Sequence, residues 1–307
     1  MHGPYPGPRR NPLPVLALIA AVLFWGMSFV SSKAILNTGF PPMTMVALRF
    51  VIASGLLLPI HRRLGGPAKL AGKRDYLTLL LSGICGVSLY FFFETRGIQL
   101  TSASNAALIV ATIPVLTVAA DRVFYKNPLS WLQGLGISLS VVGVFLIVQR
   151  SSTQFPRALA GNLFMFGACL CWVAFIFLSR GLQKRAGGLF LTTWQSVIGV
   201  VFLAPLVLLE RSRWAFISPA VWLNLLYLGI ACSAVGYFFY LHALSGLGSV
   251  VVSSYVNLIP VVGAVGGVVL LGEHLAPIQI LGAAVVILGV FLVNLRRRAP
   301  EARLPAS

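Results

Sequence analysis

The stretch "YFFFETRGIQLTSASNAALIVATIPVL" (Tyr90–Leu116) returns, altered but in register, as "GYFFYLHALSGLGSVVVSSYVNLIPVV" (Gly236–Val262). A constant shift of 146 places Phe92 and Phe93 on Phe238 and Phe239, and Pro114 on Pro260. The alignment runs on without a gap. Leu129 falls on Leu275, Gln133 on Gln279 and Gly136 on Gly282, and "GVFL" at Gly143–Leu146 falls on the same four letters at Gly289–Leu292. Upstream, a shift of 147 sets Trp25 on Trp172 and Lys33 on Arg180. The chain contains itself twice, and each copy is almost wholly apolar.

Composition identifies the solvent of those copies. Of 307 residues, 58% are hydrophobic and 9% charged, against about 25% charged in an ordinary soluble domain. So little polar surface cannot cover a water-soluble core of this size, which excludes a disordered chain and argues against a soluble enzyme. A bilayer takes up the excess. At about 20 residues per span, ten helices fit, and the apolar runs place them near 15–36, 43–60, 76–98, 104–124, 130–149, 160–181, 189–209, 221–245, 249–271 and 277–295. The expected fold is all-α and integral to the membrane. It comprises a Pro-rich tail (1–14), a first five-helix repeat (15–150), a second (151–296) and a C-terminal tail (297–307).

The formal net charge is +17, and the distribution of Lys and Arg sets an orientation. With the N-terminus inside, the inner segments hold sixteen of them: Arg9, Arg10, Arg62, Arg63, Lys69, Lys73, Arg74, Arg122, Lys126, Arg180, Lys184, Arg185, Arg296, Arg297, Arg298 and Arg303. The outer segments hold four, namely Arg150, Arg157, Arg211 and Arg213. This bias predicts both termini in the cytoplasm, in the cytoplasmic (plasma) membrane. It also accounts for the basic charge through anionic lipid headgroups, with no nucleic-acid partner. Five helices per repeat is an odd number, so the second repeat enters the membrane from the opposite side. Inverted repeats of this kind are common in secondary transporters, where substrate sits between the halves.

Four motifs sharpen the reading: "FWGMSFVSSKAI" (Phe24–Ile35), "LRF" (Leu48–Phe50), "GIQLTSASNAALIVATIPVL" (Gly97–Leu116) and "LLGEHLAPIQILGAAVVILGVFLV" (Leu270–Val293). With them the chain resembles the drug/metabolite transporter superfamily, in its EamA-type ten-helix form. The resemblance covers nearly the whole chain apart from the tails. It implies a 5+5 helix fold, a central cavity, alternating access, and cargo among amino acids, other metabolites or drugs, moved mostly outward.

Charges inside a bilayer are costly, so each calls for a reason. Glu94 shares one side of its helix with Gly83, Gly86, Tyr90 and Gly97. The shifted helix repeats the small face as Gly229, Cys232, Gly236 and Ala243, with Tyr240 opposite Glu94. Glu94 fits two roles: a substrate-amine or proton site, or a structural ion pair with Lys33, Arg49 or Arg96, all expected at its depth. Trp25 and Trp172 fit an aromatic wall or plain packing. Asn105 and Asn257 fit substrate contacts or cross-helix hydrogen bonds. Pro114 and Pro260 predict bends in mid-span, which fit a gate or a substrate contact through a freed carbonyl, or a static bend that shapes the cavity. Asp121–Arg122 and Glu273–His274 predict end-of-helix ion pairs or gate contacts.

The cysteines Cys85, Cys169, Cys171 and Cys232 lie in apolar runs with no metal-ligand spacing, so no metal or cofactor is expected. There is no P-loop, HExxH or GxSxG, so the chain is not expected to be an enzyme. The leading reading is a secondary transporter or facilitator of small organic solutes. A membrane-embedded lipid-modifying enzyme or scaffold, and a proton-coupled multidrug exporter, are its alternatives. The small-residue spacing serves either packing within the bundle or a homodimer.

Overall fold

The computed structural model describes residues 12–66, 70, 72–126, 128–149, 157–213 and 218–295. Both tails, 1–14 and 297–307, fall outside these residues apart from the last three of the first. Among the described residues there is no strand, and the elements are helices joined by short turns. The first half contains α1 (Leu13–Asn37), α2 (Pro42–Leu64), α3 (Lys73–Gly83), α4 (Tyr90–Leu100), α5 (Ala103–Val110), α6 (Ile113–Tyr125) and α7 (Trp131–Gln149). The second contains α8 (Ala158–Ala186), α9 (Gly188–Leu209), α10 (Pro219–Leu226), α11 (Gly236–Val256), α12 (Ile259–Leu271) and α13 (Pro277–Leu295). Nine stretches among the described residues are long and apolar enough to cross a bilayer, and Ile259–Leu271 is a shorter apolar helix. Outward-facing Phe145, Leu163, Val201 and Val269 are exposed, which suits lipid as their solvent.

Contacts between the halves are reciprocal. A Cβ built on Gly136 would stand 2.6 Å from the Gly289 carbonyl, and one on Gly143 2.7 Å from the Gly282 carbonyl. Those partners are each other's positions displaced by 146, so α7 and α13 cross antiparallel about a local two-fold. Only glycines permit backbones to approach this closely. The same exchange recurs elsewhere. Gly83 packs on Ile198 while Gly229 packs on Ile52, and Gly161 meets Leu100 while Gly246 meets Pro14. The small faces of α3–α4 and α10–α11 are therefore spent on the opposite repeat.

Two irregular features are also repeated. The backbone between α3 and α4 is π-helical over Ile84–Leu89, and that between α10 and α11 over Tyr227–Val235. Tyr90 N–H donates to Cys85 O and Gly236 N–H to Ala231 O, five residues back in each case. In the second repeat this register releases the Cys232 carbonyl, which accepts the Trp25 indole N–H at 2.9 Å. Such π turns cluster at functional sites.

The second feature concerns the two prolines. In place of simple bends, helix breaks precede them, at Ala111–Thr112 before Pro114 and at Asn257–Leu258 before Pro260. Proline lacks the N–H that would close the turn, and its ring crowds the carbonyl four residues back. The expected span 249–271 is thus divided. Its first part belongs to α11, which extends to Val256. The chain still reverses, but before Val252, which shares a cluster with Ala243, Leu18 and Val22. Ala243 packs with Leu18 and Val22 near the start of α1, Trp25 meets Tyr237, and beyond the reversal Val262 meets Gly26 and Gly266 meets Val30.

At one end of the bundle, carboxylates from the second half hold helix starts of the first. Glu210 accepts from Met43 N (3.1 Å), Thr44 N (2.8 Å) and Thr44 Oγ1 (3.0 Å) at the start of α2. Glu273 accepts from Ala103 N (2.7 Å) and Ser104 N (2.8 Å) at the start of α5, where Ser102 Oγ caps Asn105 N. The first N–H groups of a helix have no internal partner and lie at its positive pole, so buried carboxylates suit them. Below, this is the latched end.

Candidate functional site

A cavity of about 820 Å³ lies between the halves. α1 contributes Trp25, Ser28 and Phe29, α2 Arg49, α4 Tyr90, Phe91 and Glu94, and α8 Trp172. Both helix breaks border it, through Ala111 and Pro114 on one side and Asn257 and Pro260 on the other. α11 adds Tyr237, Tyr240 and Leu244, and α13 adds Ile287, Phe291 and Asn294. Leu244 and Asn294 lie toward the end opposite the latches, because α13 begins beside Glu273 and finishes at the far side. Arg49 and Glu94 each sit about six residues, roughly 9 Å of helix, in from the latched end.

The two charges differ in their surroundings. Glu94 is buried, and Tyr90 Oη donates to its Oε1 at 2.9 Å, the i to i+4 step within α4. Arg49 is buried, donates from Nε to Ser233 Oγ at 2.8 Å, and lies over the Phe91 ring with 4.6 Å to its centroid. Aromatic rings line the cavity in two groups. Trp172 packs on Tyr90 at 4.8 Å between centroids, and Trp25 on Tyr237 at 5.3 Å and Tyr240 at 5.5 Å.

The expected ion pair is corrected here. Among the described residues no salt bridge within 4.0 Å joins Glu94 to Lys33, Arg49 or Arg96. Arg49 faces the same cavity as Glu94 without a contact that short, while similar depth did not bring Lys33 and Arg96 to a similar azimuth. Lys33 turns toward the end of α4 and donates to the carbonyls of Ile98 (2.9 Å) and Thr101 (2.6 Å), which that helix end leaves open. Arg96 points away from the cavity and donates to Gln99 Oε1 at 3.0 Å.

Asn105 does not border the cavity. It is buried in a polar knot, donating to Thr101 Oγ1 (3.0 Å) and Asn162 and accepting from Gln279. Asp121 pairs with Arg180 of the other half at 3.3 Å rather than with neighbouring Arg122. Glu273 binds backbone N–H groups rather than His274. Sequence reasoning missed Tyr237, Ser233 and Glu210. Tyr237 had a usable signal, three residues before Tyr240 on a helix. Glu210 had none, because its partners are backbone amides 166 and 167 residues away.

Antiparallel helical repeats, paired broken helices and a charged cavity at their interface define a membrane transporter of the inverted-repeat class. The comparisons place it more closely: the EamA-like transporter family model matches residues 12–149 and 159–295, and the chain belongs to that family. It is 29% identical to the uncharacterized transporter YyaM of Bacillus subtilis (strain 168), over 93% of this chain and 95% of that protein. It is 27% identical to a probable terminal-alkyne amino-acid exporter of Streptantibioticus cattleyicolor, over 95% of this chain and 97% of that one. A solved crystal structure shares the fold at TM-score 0.62 and 18% identity, covering 94% of this chain and 99% of that chain.

Proposed function

We propose that this transporter carries small organic solutes out of the cytoplasm by alternating access, with the cavity between the halves as the substrate site. The single observation that carries this reading is the cavity's position. It lies between two antiparallel repeats, beside both helix breaks, and beneath an end closed by Glu210 and Glu273. The bodies that rock are repeats 15–150 and 151–296. The basic residues favour both termini in the cytoplasm of a cell with this protein in its plasma membrane. In that orientation the latched end is the outer one, and the end of the cavity lined by Leu244 and Asn294 is the cytoplasmic one. Solute then enters from inside, as an exporter requires. Amino acids, other metabolites and drugs are the candidate cargo, and the name of the Streptantibioticus relative supports the first.

The experiment is counterflow in proteoliposomes reconstituted with purified protein, using radiolabelled amino acids, nucleosides and cationic drugs. Expected is saturable exchange of at least one class, with solute recovered chemically unchanged. Exchange no faster than in protein-free vesicles across the panel, or recovery of an altered product, would overturn the reading.

A further inference from the structure

At the end of the bundle opposite the latches, α6 and α8 finish side by side in a basic and aromatic cluster that the cavity does not use. The Phe177 ring of α8 stacks on Tyr125 of α6 at 5.7 Å between centroids and lies edge-on to Phe124 at 6.3 Å. Arg180, a turn further along α8, lies over the same ring at 4.9 Å and pairs with Asp121 of α6 at 3.3 Å. Arg122 Nη1 donates to the Lys126 carbonyl at 3.0 Å, beside these groups. Arg122, Lys126 and Arg180 outnumber Asp121, and all three are exposed. An exposed ion pair such as Arg180–Asp121 is weak, so the positive surplus stays open to a ligand. The cluster also closes two membrane-length helices, Ala103–Tyr125 and Ala158–Gln183. Val123 and Phe124 are exposed beside the charges. That places apolar side chains at the edge of the hydrocarbon and the cationic tips among the headgroups.

The inverted repeat supplies an internal control. The same seam recurs between α12 and α1 at the latched end, where a shift of 146 replaces Arg122 with Val268, Phe124 with Leu270, Tyr125 with Leu271 and Lys126 with Gly272. A shift of 147 replaces Phe177 with Val30 and Arg180 with Lys33. Lys33 is buried and spent on the carbonyls of Ile98 and Thr101, so it offers nothing to the surface. The seam therefore packs without cations or rings, and packing alone does not explain them. They are present in one leaflet and absent from the same place in the other.

We infer that the α6–α8 end is a binding site for one anionic phospholipid, its phosphate held by Arg122, Lys126 and Arg180 and its chains lying along Val123 and Phe124. Guanidinium groups match phosphate oxygens through parallel N–H donors, and an ammonium adds a point charge. Juxtamembrane cations at the surface of an anionic leaflet attract its lipids. A phosphate shared by Arg122 and Arg180 joins the first repeat to the second. It does so at the foot of α6, the helix that opens with Pro114 in the cavity wall. The site is independent of which solute the cavity carries. In the orientation proposed above it belongs to the cytoplasmic leaflet.

The test is lipid titration of the detergent-purified full chain, read by native mass spectrometry as the fraction carrying one bound lipid. The probes are dioleoyl phosphatidylglycerol, dioleoyl phosphatidylcholine and the water-soluble headgroup glycerophosphoglycerol. Expected is that the wild type binds phosphatidylglycerol about tenfold or more tightly than phosphatidylcholine. The triple variant Arg122→Gln, Lys126→Gln, Arg180→Gln should lose that preference while its phosphatidylcholine binding holds. A control triple, Arg62→Gln, Arg63→Gln, Arg74→Gln, removes the same number of exposed cations from the same end of the bundle and should keep the preference. Arg122→Gln with Lys126→Gln leaves the Arg180–Asp121 pair and the Phe177 stack intact, so it covers a failure of the triple variant to fold; it should weaken phosphatidylglycerol about fivefold or more. Equal wild-type affinity for the two lipids overturns the site. So does an equal loss in the control triple, which makes the attraction diffuse, and so does headgroup binding as tight as that of the whole lipid, which removes the role of Val123 and Phe124.

Discussion

Glu273→Gln isolates what the latched end is worth. The wild-type carboxylate is buried and receives two short backbone hydrogen bonds, 2.7 Å from Ala103 N and 2.8 Å from Ser104 N, at the start of α5. Hydrogen bonds to a charged group contribute about 1.5–3 kcal/mol each, roughly twice a neutral one. Glutamine keeps one acceptor, so one bond is weakened, and its NH2 faces the second backbone N–H, so the other is lost. The favourable charge at the helix's positive pole goes too, at about 0.3–1 kcal/mol. The expected loss is about 2–4 kcal/mol. For a chain of this length that corresponds to a fall of roughly 3–6 °C in Tm, scaling from soluble domains. The assay is thermal unfolding of wild type and variant in one detergent at one protein concentration. A Tm within 1 °C of wild type would refute the claim that this carboxylate holds the second half to the first.

Glu210→Gln should behave likewise, since it releases Met43 N and Thr44 N of α2, and the double variant should open the latched end. Labelling of Ala111→Cys by an impermeant thiol reagent from that side, in a background lacking the four native cysteines, should then increase. Gly143→Val should prevent close crossing of α7 and α13, costing 3 kcal/mol or more, and Gly289→Val should match it because the contact is reciprocal; size-exclusion profiles and Tm check both. Trp25→Phe removes the indole donor to the Cys232 carbonyl and should cost about 1 kcal/mol, seen as a small fall in Tm. Asp121→Asn breaks an exposed pair with Arg180 and should change stability by less than about 1 kcal/mol, within the scatter of replicate melts.

Much of the architecture was legible before folding. The shift of 146 is a property of the letters alone, and a length of about 20 apolar residues per span follows from bilayer thickness. The small faces of α3–α4 and α10–α11 were readable too, because a glycine stripe has few uses in lipid other than close helix contact. Tyr90 and Glu94 are one helical turn apart, so their hydrogen bond lies within reach of local periodicity. The helix breaks were only half legible. Pro114 and Pro260 announced a disturbance, but whether the chain bends or interrupts depends on what surrounds the freed backbone.

Tertiary structure alone decided the electrostatics. Sequence gives the depth of Lys33, Arg49, Arg96 and Glu94 in the membrane to within a turn. It does not give the rotation of each helix about its axis, and over the few ångströms of an ion pair that rotation is decisive. Lys33 turned to the open carbonyls of Ile98 and Thr101, Arg96 to Gln99, and Arg49 into the cavity over Phe91. Glu210 and Glu273 found backbone amides, which every residue but proline carries and no sequence pattern marks. Composition fixes which groups must find partners inside a bilayer, because leaving them bare is costly there. Which partner each one takes is set by the packing of the opposite repeat, through contacts far apart along the chain.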